Sequence, residues 1–291
     1  MYYSVKPLSD DQGVIAVASA QYITDALIRS INANIVVMVL GLVLFLLLSI
    51  TLASYATRPL RKAWEAQQRF ISDVSHELKT PLAVIKANMS IMSAHRSDSF
   101  QENERWITST QDVVERMNSL VEDMLQLSRH RKRSSHEYII CNLGELAEKS
   151  ALQFESRAFE QGITIKTYID KSIGIKGDEA ELLRLITIFV DNACKYAYTN
   201  TEVSLTVKRI SSQKALVSIH NMGAPIPERD LPHIFERFYR VNKERERESG
   251  SWGLGLPIAQ NIITAYKGNI IVSSDTEDGT TFTLYLPTFD L

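Results

Sequence analysis

The sequence predicts a multidomain protein. A transmembrane helix is followed by an all-α helical hairpin that forms a dimeric four-helix bundle, and then by an α+β sandwich domain. Three observations predict this order: an apolar run near the N-terminus, two amphipathic stretches with apolar residues at steps of three and four, and short β-type and helical stretches that alternate over the C-terminal half. With 291 residues the chain is long enough for two compact domains and a tail.

Composition and charge exclude some functions. Charged residues make up 23% of the chain and the net charge is −2, so no overall field points to nucleic acid, and we predict no nucleic-acid partner. Cys141 and Cys194 lack the paired spacing of a metal site or redox motif. We predict that both are reduced and buried.

The membrane segment comes first. Between Ser30 and Thr57 there is no charged residue, and as a helix the apolar run from Ile35 to Ala53 would be about 28 Å long, enough to cross a bilayer core. We predict a transmembrane helix over residues 33–55. The alternative is a cleaved signal peptide, but the run is too long, starts too far from Met1 and has no basic leader or small-residue cleavage site.

Basic residues set the orientation of this span. Four of them follow it closely, at Arg58, Arg61, Lys62 and Arg69, whereas the preceding segment offsets its two with three aspartates. The bias predicts a single-pass protein of the cell membrane whose C-terminal side is cytoplasmic. Residues 1–32 would lie outside, and residues 56–69 would be a juxtamembrane linker. The outer segment is too short for its own core, so it is either a minimal element or the remainder of a longer domain.

The helical hairpin is predicted over residues 70–133. Its first helix has an apolar face of Phe70, Val74, Leu78, Leu82, Ile85, Met89 and Met92, and its second has apolar positions at Trp106, Thr110, Val113, Met117, Leu120, Met124 and Leu127. A polar connection around residues 96–101 joins them. A lone hairpin leaves an apolar face in water, so we predict a homodimer with a four-helix bundle.

The first of these helices carries a candidate nucleophile. His76 lies between core positions Val74 and Leu78, which leaves its imidazole facing solvent, and Glu77 and Thr80 follow within one turn. A neutral imidazole can accept a phosphoryl group, with Glu77 taking the other ring proton. Taken alone, His76 could be an ordinary surface histidine. A zinc site is excluded because no second histidine stands four residues away.

The sandwich domain is predicted over residues 138–291, after a basic hinge at residues 128–137. Five β-type runs alternate with three helical ones, which indicates helices on a mixed sheet. The predicted strands are 163–170, 203–209, 215–221, 269–274 and 280–287, and the predicted helices are 143–161, 178–197 and 254–268. No GxxxxGK loop is present, so this is not a P-loop enzyme.

Several motifs carry a resemblance to a known family. The stretch SHELKTPL around His76 resembles the phosphoacceptor box of sensor histidine kinases. In the C-terminal domain, DNACKYA, HNMGAPIP, FERFYR and GSWGLGLPI resemble the ATP-binding boxes of the same family, which it shares with gyrase, the Hsp90 chaperones and MutL, and DGTTF resembles a last box. Each motif is weak alone, but they occur in the family's order. The resemblance covers roughly Arg58 to the C-terminus.

The resemblance implies a role for each matching residue. His76 would be the phosphoacceptor, Glu77 the base and Thr80 a residue needed for phosphatase activity. Asn192 would be the Mg²⁺ ligand. The implied ATP-binding residues are Asn192, Lys195, Tyr196, Asn221, Gly223, Phe238, Arg240, Gly253, Leu254, Gly255, Leu256, Gly279 and Thr280. The implied partner is a response regulator protein, which receives the phosphoryl group on an aspartate. The charged segment after FERFYR would be a lid.

Three positions depart from the family's pattern. Asn221 stands where an aspartate is usual, Pro225 where a glycine is usual, and Ile188 where many relatives have an asparagine. The Asn221 oxygen can still accept a hydrogen bond from adenine, though without charge assistance. We therefore expect weaker nucleotide binding rather than none.

Two other functions compete with the kinase hypothesis. A degenerate scaffold would dimerise and bind a regulator without using ATP. A membrane ATPase of the gyrase and chaperone group would make His76 incidental, which the histidine box between two amphipathic helices disfavours. Replacing His76 separates this last hypothesis from the first, since only an ATPase would keep its activity.

Overall fold

A computed structural model of the chain describes residues 2–9, 12–18, 20–94, 100–128, 138–241 and 251–289. Two compact units divide the chain, Met1–Ile71 and Ser72–Leu291. Three predicted segments lie largely outside the described residues: the hinge at 128–137, of which 129–137 are not described, most of the hairpin connection, and the lid at 241–251, of which 242–250 are not described.

The first unit holds a β-hairpin and the start of a long helix. Strands β1 (Tyr2–Ser9) and β2 (Gln12–Ala18) pair antiparallel. Helix α1 begins at Ala20 and ends at Ala94, so residues 56–69, predicted as a linker, are helical. Among the described residues, this is the one helix long and apolar enough to cross a membrane. Apolar side chains of the predicted span, such as Leu44 and Phe45, are exposed.

In the second unit, α1 and helix α2 (Phe100–Ser128) form the helical hairpin. Asn88 of α1 is buried and its Nδ2 donates to Ser109 Oγ (3.1 Å) and Thr110 Oγ1 (3.2 Å) of α2. The predicted heptad positions of α2 are buried at Val113, Leu120 and Leu127. The heptad reading of α2 is therefore confirmed. Helix α1 continues through Pro81.

The C-terminal domain is an α+β sandwich, as predicted. Its sheet has five strands in the order β4-β6-β7-β9-β8, in which β4 and β6 are parallel and the other pairs antiparallel. The strands are β4 (Thr164–Ile169), β6 (Glu202–Ser211), β7 (Lys214–Asn221), β8 (Asn269–Asp275) and β9 (Gly279–Pro287). Helices α3 (Leu143–Glu160), α4 (Glu179–Tyr196) and α5 (Gly255–Ala265) pack on it.

A second, two-stranded sheet was missed by the sequence analysis. Strands β3 (Ile139–Asn142) and β5 (Gly174–Gly177) pair antiparallel over four residues each. Runs this short give almost no periodic signal, and β5 begins and ends with glycine, which weakens strand propensity. The pairing is therefore decided by long-range packing.

Capping side chains explain where two of the helices begin, and the alternation of buried and exposed residues along the strands explains which side chains form the core. Asn142 Oδ1 accepts from the backbone N–H groups of the first turn of α3, and Asp178 Oδ1 does the same for α4. Alternate residues of β7 and β9 are buried. At the centre, Phe189 of α4 contacts Phe282 of β9, with ring centroids 5.1 Å apart. Cys141 and Cys194 are free and buried, as predicted.

Candidate functional site

A cavity of about 590 Å³ lies between α4, the ends of β7 and β9, and the start of α5. Most of the nucleotide-binding residues inferred from the sequence line it. These are Asn192, Lys195, Tyr196, Asn221, Arg240, Gly253, Leu254, Gly255, Leu256 and Thr280. Residues from five separate chain segments thus meet around one space.

Helix α4 supplies one wall of this cavity because its two faces differ. Phe189 and Val190 are fully buried in the domain core, whereas Asn192, Lys195 and Tyr196 follow at steps of three and four and line the cavity. An amide oxygen, an ammonium and a phenol are thereby placed on one cavity wall. Asp191 also lines it, and its carboxylate accepts from Arg157 of α3 at 3.2 Å.

The polar floor of the cavity consists of two buried residues on neighbouring strands. Asn221 ends β7 and is directly opposite Thr280 of β9, and both are at most 5% exposed. Thr280 Oγ1 shares a hydrogen bond with Ser274 Oγ at 2.7 Å. A buried amide on this floor can recognise a ligand that offers both a donor and an acceptor.

Three residues inferred as nucleotide-binding do not line the cavity: Gly223, Phe238 and Gly279. The two glycines lie where the chain segments approach each other closely. A Cβ at Gly223 would stand 2.1 Å from the Tyr196 carbonyl oxygen, and one at Gly279 would stand 2.4 Å from the Asn221 carbonyl oxygen. In this structure they allow the floor and wall to meet.

The segment around Phe238 fixes the entrance to the cavity. Phe238 has a positive φ of 60°, and its N–H donates to the Gly253 carbonyl at 3.0 Å. Arg240 Nη2 donates to the Ser251 carbonyl. Tyr239 Oη donates to Asp230 Oδ1 at 2.8 Å, and this bond raises the pKa of Tyr239. The bonds of Phe238 and Arg240 join the two ends of the predicted lid segment.

The start of α5 faces the same cavity. Its N-cap position, Leu254, makes no side-chain capping bond, so the N–H groups of the first turn are not satisfied by a cap. Leu254 and Gly255 both line the cavity. A helix N-terminus with small neighbours is a favourable place for phosphate because its N–H groups and dipole attract negative charge.

His76 is exposed on α1, and the residues beside it line a second cavity of about 140 Å³. Glu77, Thr80, Pro81 and Val84 come from α1, and Val113 and Arg116 come from α2. The remaining lining residues are Arg240, Ser251 and Trp252 of the C-terminal domain. The histidine region and the larger cavity are therefore neighbours.

Four residues line both cavities: Arg116, Arg240, Ser251 and Trp252. The hairpin also packs on the domain through an apolar cluster whose buried members are Leu120, Leu127, Leu254 and Ile258. Ile188, one of the three positions at which the sequence departs from the pattern it resembles, is partly buried against this cluster. Its apolar side chain thus contributes to the contact between hairpin and domain.

The sequence analysis missed the part that α2 has in the larger cavity. Arg116, Ser119 and Asp123 line it, together with Arg184 of α4. Arg184 Nη2 donates to Asp123 Oδ1 across the contact between hairpin and domain. Burial raises the pKa of Asp123, and the guanidinium of Arg184 opposes this shift. No sequence signal identifies these residues, because their place depends on how the hairpin packs on the domain.

The donor set of the larger cavity fits a magnesium ion that is held mainly by phosphate. Within the described residues, no group of three His, Cys, Asp or Glu side chains could hold a metal. Asn192 offers a hard amide oxygen on the cavity wall. Because Mg²⁺ usually keeps several waters and binds through few protein ligands plus substrate phosphates, one such oxygen is sufficient.

Comparison with known families gives two matches. The model of the His Kinase A (phospho-acceptor) domain matches residues 66–133. The model of the histidine kinase-, DNA gyrase B- and HSP90-like ATPase matches residues 177–289. The first match contains His76, and the second contains the lining residues that α4, β7, β9 and α5 contribute to the larger cavity.

Individual proteins agree with these matches. The chain is 31% identical over 270 residues to the sensor protein DltS of Streptococcus agalactiae, covering 92% of this chain and 66% of that protein. It is 32% identical over 254 residues to the sensor histidine kinase RppB of Synechocystis, covering 87% of this chain and 55% of that protein. The chain thus spans less than two thirds of the length of these curated relatives.

A solved structure shares the fold. Histidine kinase ThkA, solved in complex with the response regulator protein TrrA, superposes with a TM-score of 0.63 at 23% identity. The match covers 80% of this chain and 65% of that chain.

Proposed function

The chain belongs to the sensor histidine kinases of two-component systems, and we propose that it phosphorylates itself on His76 with MgATP and donates the phosphoryl group to a response-regulator aspartate. One observation carries this proposal. The cavity that holds the nucleotide-binding residues and the cavity beside Glu77 and Thr80 share four lining residues. This shared lining supports a short path for the phosphoryl group from the nucleotide to His76.

Within the larger cavity, Asn221 would accept a hydrogen bond from the adenine amino group, and Thr280 beside it would complete the polar floor. Lys195 and the N-terminus of α5 would offset phosphate charge. Asn192 would hold Mg²⁺, which neutralises charge on the phosphates when it is bound. This division would leave the γ-phosphoryl group near the residues that line both cavities.

The transfer is a displacement at phosphorus. A ring nitrogen of neutral His76 attacks the γ-phosphorus with its lone pair, the P–N bond forms, and the bond from phosphorus to the β–γ bridging oxygen breaks. ADP leaves with that electron pair. Glu77 accepts the proton of the other ring nitrogen, so the phosphohistidine is left without the added positive charge. The exposure of His76 supports this role, since the phosphoryl group must enter and leave.

The second transfer runs to the partner. A carboxylate oxygen of the regulator attacks the phosphorus, the P–N bond breaks, and the ring recovers its proton. The complex of ThkA with TrrA supports a response regulator as partner. Thr80 is exposed one turn from His76 and would position water for the hydrolysis of the regulator's phosphoaspartate, which gives phosphatase activity.

The proposal includes a homodimer anchored in the cell membrane. Exposed apolar residues recur at seven-residue steps on the hairpin, at Leu82 and Met89 of α1 and at Val114 and Val121 of α2. A second hairpin would cover them in a four-helix bundle. The apolar part of α1 supports a single membrane pass with the C-terminal domain in the cytoplasm.

The test uses the full chain in lipid nanodiscs with γ-labelled MgATP. We expect label that is stable to alkali and labile to acid, and that His76→Gln and Asn192→Ala both abolish. His233→Gln is the matched control: His233 is exposed, pairs with Glu236 and lines neither cavity, so this variant should keep the label. A folded wild-type dimer that binds nucleotide and never becomes labelled would contradict the kinase proposal.

A further inference from the structure

We infer that Arg116 of α2 binds the γ-phosphoryl group of ATP while this group passes to His76. The inference rests on the proposed kinase function and adds a residue that the nucleotide-binding motifs do not contain. It would make the hairpin part of the nucleotide site.

The position of Arg116 is the first argument. It lines the cavity that contains Asn192 and Lys195, and it lines the cavity that contains Glu77 and Thr80. Of the four residues shared by the two cavities, Arg116 is the one contributed by the hairpin; the other three belong to the C-terminal domain. Arg116 therefore stands on the acceptor's side of the shared wall.

The charge of the shared wall is the second argument. Arg116 and Arg240 bring two guanidinium groups to it, and among the described residues that line the smaller cavity Glu77 is the one acidic residue. Asp123 lies two turns beyond Arg116 on α2 and also lines the larger cavity, but Arg184 pairs with it. The carboxylate of Asp123 is thereby compensated without Arg116.

The geometry of the side chain is the third argument. Arg116 Nε donates to the carbonyl oxygen of Asp112 at 3.2 Å, which ties the guanidinium to the backbone of α2. A guanidinium held at Nε presents its two Nη groups as a planar fork, which matches two phosphoryl oxygens. Phosphoryl transfer depends mainly on positioning and on stabilising the charge of the three equatorial oxygens, which such a fork does.

The experiment measures the affinities for two nucleotides and the rate of labelling. On the full chain in nanodiscs, binding of ADP and of the non-hydrolysable analogue AMP-PNP is measured by calorimetry, and the labelling rate is measured at saturating MgATP. We expect Arg116→Ala to lower the labelling rate by about 10- to 100-fold. The same variant should weaken AMP-PNP about tenfold while ADP affinity changes less than about twofold, because ADP lacks the γ-phosphoryl group.

Two variants make the result specific. Arg116→Lys keeps a charge but lacks the fork, and it should recover part of the rate. Arg105→Ala is the matched control, because Arg105 is an exposed arginine on the same helix that stacks on Trp106 and lines neither cavity, so rate and affinities should match the wild type.

The outcomes separate this inference from the kinase proposal. If the wild type is labelled and Arg116→Ala is labelled at the same rate, the role of Arg116 is overturned and the kinase proposal stands. Equal weakening of ADP and AMP-PNP would also overturn it, because that pattern indicates a general structural role. A wild type without label would overturn both.

Discussion

The C-terminal domain buries its apolar side chains within itself, whereas the helical hairpin leaves many of its own exposed. In the domain, residues such as Leu185, Ile186, Phe189 and Leu205 are fully buried in one cluster between helices and sheet. On the hairpin, apolar residues remain between 43% and 54% exposed at Leu82, Met89, Val114, Val121 and Leu125. The two regions therefore reach stability in different ways.

The hairpin's own buried residues show the same contrast. Leu120 and Leu127 are fully or nearly fully buried, but their cluster includes Leu254 and Ile258 of the C-terminal domain. A two-helix hairpin alone has too little interior to exclude water, so its order depends on what packs against it. The buried positions of the hairpin therefore depend on the C-terminal domain to cover them.

The largest effect should come from the domain core. Phe189→Ala removes a fully buried ring that contacts Phe282, and it should lower the free energy of unfolding by about 3–5 kcal/mol. Urea denaturation of the full chain, followed by circular dichroism, measures this. Phe159→Ala is the control, because Phe159 is 82% exposed on α3 and its loss should change little. Equal losses in both variants would break the comparison.

A substitution on the exposed face of the hairpin should weaken dimer association rather than the folding of the subunit. Leu125→Glu places a charge where we propose that the second hairpin packs, and it should weaken the dimer by about 1–3 kcal/mol. Sedimentation equilibrium in detergent measures this. Leu152→Glu is the matched control on α3, since Leu152 is also an exposed leucine but belongs to the C-terminal domain. A dimer weakened only by Leu152→Glu would reverse the assignment of the interface.

The ion pair between hairpin and domain should contribute less energy than the apolar face of the dimer. Asp123 and Arg184 form its ion pair, with side chains 23% and 31% exposed. A double-mutant cycle with Asp123→Ala and Arg184→Ala should give a coupling energy of about 1 kcal/mol in favour of the pair. Coupling near zero in urea denaturation of the full chain would mean that the apolar cluster alone holds the two regions together.

The smallest effect should be a loss of folding stability of the C-terminal domain as the pH rises to 9. Burial raises the pKa of Cys194 to about 11, so the unfolded chain, with an ordinary thiol pKa near 9, ionises first as pH rises. Stability should therefore be highest below pH 8 and fall through pH 11, with a loss from this group of about 0.4 kcal/mol at pH 9. Chemical denaturation at pH 8 and at pH 9, on the wild type and on Cys194→Ala, measures this loss. If the free energy of unfolding of the variant falls with pH as steeply as that of the wild type, the loss belongs to other groups.

Much of the fold was predictable because its signals are local. The five strands of the main sheet and the three helices on it agree with runs of alternating and helical periodicity. The sandwich class and the buried heptad positions of α2 follow from the same patterns. The pairing of β3 with β5 was missed, since four-residue strands carry no periodic signal.

Several residues that line the larger cavity could also be predicted from the sequence. Asn192, Lys195 and Tyr196 share a helix face, and the order of the glycine-containing motifs indicated the remaining walls. Gly223 and Gly279 were inferred to bind nucleotide, but they lie where a Cβ would meet the backbone carbonyl of a different segment. Sequence cannot distinguish a glycine that faces a ligand from one that lets two segments meet.

The sequence alone was sufficient to order a long apolar helix, a hairpin and a sandwich along the chain, and to supply the motifs that indicate the family. These depend on periodicity and on residues close together in the chain. The tertiary structure alone decided that Arg116 and Asp123 of α2 line the larger cavity, and that this cavity shares lining residues with the smaller cavity beside His76. Such contacts join residues of the hairpin to residues of the C-terminal domain more than sixty positions away, and they arise from how the two surfaces fit together.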